Sequence, residues 1–99
     1  MLNHYENNIL KWAEDRQILQ NSTALAQFAK LVSEVGELAD NIAKGNCVKD
    51  DIGDCFVVLC IIANMKGLTM DECAAQALND IKDRKGYLSQ DGVFVKVVD

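Results

Sequence analysis

No proline interrupts the 99 residues of this chain, and the glycines at 45, 67 and 86 each follow a stretch whose apolar residues recur at helical spacing. Proline is the strongest helix breaker, and glycine is the residue best suited to the left-handed position after a helix end. A chain punctuated in this way folds as consecutive helices. The periodicity predicts a first helix over about residues 2–19, with Ile9, Trp12, Ala13 and Arg16 at helical spacing and QNST ending it. Ser22 or Thr23 caps a second helix that runs to about Lys44, and a third runs from about Lys49 to Lys66. Thr69, with Glu72 three residues on, forms a capping box that opens a fourth helix to about Arg84. Beyond Gly86 the pattern changes. SQDG is a turn signal and VFVKVV is rich in β-formers, which predicts a short hairpin or an extended tail. The expected fold class is all-α: a four-helix bundle with that C-terminal hairpin or tail, in a single domain spanning residues 1–99.

A chain this short leaves much of its surface unburied, so completion of the core by further copies is expected. The net charge of −5 sets the surface field against polyanions, which argues against binding a nucleic-acid polymer. It does not exclude a small phosphorylated ligand, because a bound divalent cation inverts the local field. The four cysteines, at 47, 55, 60 and 73, show neither C-x-x-C spacing nor histidines at zinc-site distances. The N-terminus MLNHYENNILKW has no basic start and no apolar run, and the longest apolar stretch, Cys55 to Ala63, is too short for a bilayer. The expectation is a cytoplasmic protein without a membrane partner, its cysteines reduced and used as small hydrophobes. His4 is expected at the surface without a role, and Tyr87 and Phe94 are expected to pack the tail against the bundle or a partner.

The segment EVGELADNIAKGNCVKDDIGDC carries the pairs Glu34 and Glu37 before Gly45, and Asp51 and Asp54 after it. With Gln27 set at zero and 100° per residue, Lys30, Glu34, Glu37 and Asn41 fall at roughly 280° to 340°, one narrow polar stripe. Phe28, Leu31, Val32, Val35, Leu38, Ala39 and Ile42 fall on the arc from roughly 20° to 140°, which is expected to face the core. The third helix continues CFVVLCIIANM, apolar on every side, and is expected to be buried all round with Asp54 carried inward. Folded about Gly45, the two helices bring both acidic pairs to similar heights. Four carboxylates in one place raise one another's pKa unless a counter-charge is present, and oxygen-only ligands suit Mg²⁺, with Mn²⁺ as a substitute. Geometry alone leaves two readings open, a solvated acidic face and a divalent-metal site.

These residues resemble a known family. The E-x-x-E of SEVGELAD and the acidic-x-x-Asp of DDIGDCFVVL, together with ILKWAEDR, QFAKLVSEVGELA and IKDRKGYLSQDGVFVK, are similar to the MazG-like all-α nucleoside triphosphate pyrophosphohydrolases, in particular the short, single-domain, phage-type members. The resemblance covers nearly the whole chain. It implies a helical bundle, dimeric or tetrameric, that cleaves a nucleoside triphosphate between the α and β phosphates to the monophosphate and pyrophosphate. It implies that Glu34, Glu37 and Asp54 bind the metal. Asp51 stands where the family more often has Glu, so Asp51, or Asp50 beside it, completes the set. Glu34 or Glu37 would accept the proton of the attacking water, with Mg²⁺ neutralising the triphosphate.

Asn79, Lys82, Arg84 and Lys85 resemble the family's basic phosphate-contacting cluster; by composition alone they are a helix end with favourable cations. Gln27 and Lys30 lie on the carboxylate stripe as candidates for a water, carboxylate or phosphate, although Lys30 also suits a plain pair with Glu34. Trp12 stands near the family's nucleotide pocket, with base stacking and ordinary packing both open. Two other functions compete: a helical interaction module whose acids bind metal structurally or meet a basic partner, and a family member that has lost catalysis but still binds nucleotide.

Overall fold

The computed structural model describes residues 2–98. In chain order these form α1 (Leu2–Asp15), α2 (Ile18–Asn21), α3 (Ala24–Ala43), α4 (Lys49–Met65), α5 (Met70–Ile81), β1 (Gly86–Leu88) and β2 (Phe94–Lys96). The expected first helix is split, because Gln17 takes the left-handed conformation, φ 62°, and turns the chain into the short α2. The Thr23 side chain, not that of Ser22, caps α3, accepting from the Ala26 amide at 3.1 Å. The Thr69–Glu72 capping box opens α5 as expected, but α5 ends at Ile81, three residues short of Arg84. Strands β1 and β2 form an antiparallel hairpin with Tyr87 opposite Val95, closed by the Ser89–Val93 turn.

Helix α4 is central. It supplies Val58, Cys60, Ile61 and Ala63 to a small core that Ala13 of α1 completes. Helices α3 and α1 both pack on α4, and α5 packs on α1 and α4. One long-range bond fixes α1 to α5: buried Glu6 accepts from the Met70 amide at 2.8 Å, at the positive end of the α5 dipole. Burial by the fold pushes the Cys60 thiol up to about 11, and the charge of Glu6 adds to the shift.

Two expectations of burial are overturned. Helix α4 is not buried all round, since Ile52 and Leu59 face solvent. On α3 the seam against α4 is Gln27, Leu31, Glu34, Leu38 and Asn41, half-buried or buried. Most of the expected core-facing arc is instead open: Phe28 is 53% exposed, Val32 56%, Val35 49% and Ile42 62%. The reason is a matter of supply. Amphipathicity says which face of a helix is apolar, but among the described residues α4 is the helix that packs along α3, and it covers the line of Gln27, Leu31, Glu34, Leu38 and Asn41. Tyr87 and Phe94 are likewise exposed, so the hairpin does not pack closely on its own bundle. Among the described residues no single helix is long and apolar enough to cross a membrane.

Candidate active site

The turn between α3 and α4 is built by local sequence. Gly45 sits at φ 72°, its amide bonds to the Ile42 carbonyl at 3.1 Å, and the Asn46 amide reaches the Asn41 carbonyl at 2.9 Å. This is the Schellman closure of a helix. The side chains extend it into the acidic site: Asn46 donates to Asn41 Oδ1 at 3.0 Å, and Asn41 donates to Asp51 Oδ2 at 2.9 Å. The helix terminus thereby holds a ligand candidate of the next helix in place.

Glu34 and Asp51 are both buried, 7% and 8% exposed. Lys30 lies one turn before Glu34 and donates to its Oε1 at 2.9 Å. The other oxygen, Oε2, is buried and has no hydrogen-bond partner. An unpaired buried carboxylate oxygen is costly unless a cation meets it, so the site is chemically suited to a hard metal ion with oxygen ligands. Asp54 is half-buried and its carboxyl is held above the ordinary range, first by burial, then by the charges of Asp50, Glu34 and Asp51, with Lys30 opposing. The fold thus places Glu34, Asp51 and Asp54 within electrostatic reach of one another. Glu37 is exposed on the same stripe, close enough to help raise the pKa of Lys30 after the larger effect of Glu34. As these side chains stand, no three acidic, Cys or His groups among the described residues surround one point at coordination distance.

Asp54 also forms the wall of two adjoining recesses between α1 and α4. One, of about 380 Å³, is lined by Tyr5, Asn8, Ile9, Trp12 and Val57; the other, of about 600 Å³, shares Tyr5, Ile9 and Val57 with it and is lined besides by Asp50, Ile52 and Phe56. Trp12 is 43% exposed and not a core residue, with the Arg16 guanidinium stacked on its ring at 4.6 Å from the centroid. Gln27 donates to Ser22 Oγ at 3.0 Å and so braces the start of α3. Of the basic cluster, Arg84 and Lys85 line a separate recess with Asp80, Asp83 and Lys96, while Asn79 and Lys82 are exposed; none of the four lines the Asp54 recesses. Sequence reasoning missed Tyr5, Asn8 and Ile9 as recess residues, although their spacing from Trp12 marks one face of α1. It also left Asn41 without a task.

Fold and site together define an all-α protein whose central helical hairpin presents an oxygen-only, metal-suited site beside an aromatic-lined cleft. The MazG nucleotide pyrophosphohydrolase domain matches residues 22–89, more than half of the chain, and the chain belongs to that family. The match takes in Glu34, Glu37, Asp50, Asp51 and Asp54 and the basic cluster, and leaves out α1 and α2. Over 58 residues the chain is 52% identical to an uncharacterised 18.2 kDa protein from the rep-hol intergenic region of Haemophilus phage HP1 (strain HP1c1), a match covering 57% of this chain and 36% of that protein. The chain thus matches about a third of the length of this curated relative. Its fold is similar to that of a cyanophage S-2L MazG-like pyrophosphohydrolase, solved with dGDP and three catalytic Mn²⁺ ions per active site: TM-score 0.78, 16% identity, covering 99% of this chain and 98% of that one.

Proposed function

We propose that this chain is a Mg²⁺-dependent pyrophosphohydrolase that cleaves ribo- or deoxyribonucleoside triphosphates between the α and β phosphates, releasing the monophosphate and pyrophosphate. The observation that carries the reading is the buried, unpartnered Oε2 of Glu34 beside Asp51 and Asp54, at a cleft that Trp12 and Tyr5 line. Glu34, Glu37, Asp51 and Asp54 would hold the cation, with Asp50 sharing the place of Asp51. Mn²⁺, present in the cyanophage relative, is the natural substitute. A bound divalent cation supplies neutralisation of the triphosphate and a lowered pKa for a water molecule.

The remaining work falls to the chain. Glu34 or Glu37 accepts the proton of the attacking water as the α–β anhydride breaks. Lys30, already charged against Glu34, shields that carboxylate from the incoming phosphates. Gln27, Asn79, Lys82, Arg84 and Lys85 are the proposed further phosphate contacts, and Trp12 the base contact. The active form is a cytoplasmic homodimer or homotetramer of a single catalytic domain, residues 1–99.

The test is pyrophosphate release from a panel of NTPs and dNTPs with Mg²⁺ or Mn²⁺, beside Glu37→Gln and Asp54→Asn. Release that needs the metal and both acids supports the hydrolase. A folded, metal-loaded chain that releases nothing favours a nucleotide-binding module.

A further inference from the structure

One stripe of α1 carries Tyr5, Asn8, Ile9 and Trp12 to the smaller Asp54 recess, and Arg16 continues that stripe by one turn. Arg16 lines neither Asp54 recess. It lines a separate one, of about 430 Å³, with Ser22, Thr23 and Ala26 at the start of α3. Its guanidinium nonetheless touches Trp12 twice: its central carbon lies 4.6 Å from the centroid of the Trp12 ring, and Nη1 donates to the Trp12 carbonyl at 3.3 Å.

Side chains of a helix tilt towards its N-terminus, so the residue four places on falls over Trp12. The acid next to Arg16 is already taken, since Asp15 pairs with Lys11 at 3.1 Å, and Arg16 makes no ion pair among the described residues. A planar guanidinium left without a carboxylate stacks well on an indole. A cation at a helix end reaching one of the last carbonyls accounts for the hydrogen bond. It does not account for the stacking, on a tryptophan that is 43% exposed and packs into no core. Trp12 lines the recess and Arg16 does not, so the side of the ring that the recess meets is the side that Arg16 leaves open. A ring held in this way is ordered before a ligand arrives, which spares the binding step the cost of immobilising it.

We propose that Arg16 is a positioning residue of the nucleotide site: it clamps the Trp12 indole from one face so that the other is ready to stack on the base, and it touches neither base nor phosphate itself. This rests on the reading of Trp12 as the base contact. The clamp acts on the flat part of the ligand, so its effect is absent for a ligand that carries phosphates without a base.

The test uses the chain's single tryptophan, whose fluorescence reports Trp12 alone. The probes are an α,β-methylene deoxynucleoside triphosphate, whose α–β bridge resists hydrolysis, and inorganic triphosphate, each with Mg²⁺ and titrated by calorimetry. In Arg16→Gln the fluorescence anisotropy of the free protein is expected to fall as the indole loosens, and affinity for the nucleotide analogue to weaken by about 2- to 10-fold. Arg16→Lys, which keeps the charge but not the plane, is expected to lie between Arg16→Gln and the wild type. Affinity for inorganic triphosphate is expected to stay level, and in a Trp12→Leu background Arg16→Gln is expected to weaken nucleotide binding no further. Unchanged anisotropy or undiminished nucleotide affinity in Arg16→Gln overturns the proposal. An equal loss for inorganic triphosphate, or a loss that persists in the Trp12→Leu background, makes Arg16 a phosphate contact and overturns it too. So does an indole emission that bound nucleotide leaves unchanged. Pyrophosphate release does not enter the readout. A chain that binds the analogue as expected and hydrolyses nothing loses the hydrolase reading and keeps this one, whereas a chain that hydrolyses nucleotides without these differences loses this one alone. A wild type that binds no nucleotide loses both.

Discussion

Glu34 is the residue on which most depends. Its carboxylate is buried with one oxygen on Lys30 and the other without a partner, so it is stabilised by one contact where a buried charge needs more. Glu34→Gln removes the charge at nearly constant shape. Pyrophosphate release is expected to fall by about 10²-fold or more, the usual contribution of a positioned acid or base, while the melting temperature stays level or rises. A large drop in melting temperature would make Glu34 a structural residue and not a ligand. The cysteines give a second residue-scale prediction. Cys60 is buried with its thiol pushed up to about 11, whereas Cys47 is exposed. Since the thiolate is the reactive form, a disulfide reagent at neutral pH is expected to modify Cys47 at once and Cys60 only on unfolding. Fast modification of Cys60 in the folded protein would contradict the core described.

Among the elements, the α3–α4 turn links local conformation to the site. Nothing lies within 4 Å of a Cβ built at Gly45, so the cost of a side chain there comes from its left-handed backbone alone. Gly45→Ala is expected to lose about 1 kcal/mol, read by urea denaturation, and to weaken metal binding through the Asn46–Asn41–Asp51 chain. Asn41→Leu separates the two effects, since it leaves the turn backbone and removes the hold on Asp51. Weaker cation binding by Gly45→Ala but not by Asn41→Leu would mean that the hydrogen-bond chain does not position Asp51. The hairpin behaves differently. Its strands pair, and the Phe94 ring lies so close over Gly86 that a side chain at 86 would clash with it. Tyr87 and Leu88 remain exposed, so the hairpin is held by its own pairing and not by the bundle.

For the whole molecule, the radius of gyration is 16.1 Å, against about 13 Å for a compact chain of this length. An open shape with so small a core is marginal alone, and each ligand that binds only the folded state adds to its stability. Mg²⁺ or Mn²⁺ is therefore expected to raise the melting temperature, by an amount that depends on pH. The Asp54 carboxyl is raised in the fold, so without a divalent cation its contribution favours the folded state at low pH and is lost as pH rises through the folded value. Cation binding needs the ionised form, so the metal-induced rise should be largest at neutral pH and shrink on mild acidification, above the ordinary carboxylate range. A metal effect that does not change with pH over that range would remove Asp54 from the ligand set.

Most of the local structure was legible in the sequence because it rests on interactions within a few residues. Gly45 and Gly67, the Thr69–Glu72 box and the β-former-rich tail each encode their own helix end or strand, whereas Gly86 opens β1 and does not end a helix. The acidic spacing about Gly45 was legible for the same reason, since two helices joined by a short turn bring matched heights together. The break at Gln17 was not, because nothing in its side chain demands a left-handed backbone. Nor was the way α3 faces. Its sequence determines two stripes, one polar and one apolar, and hydrophobicity alone assigns the apolar one to the core. Only the tertiary structure shows that α4 lies on the line of Gln27, Leu31, Glu34, Leu38 and Asn41, burying Glu34 and leaving Phe28, Val32 and Val35 in the open. The physical reason is that a stripe records what a helix can bury against, while the number and placement of the other helices decide which stripe is covered within one chain.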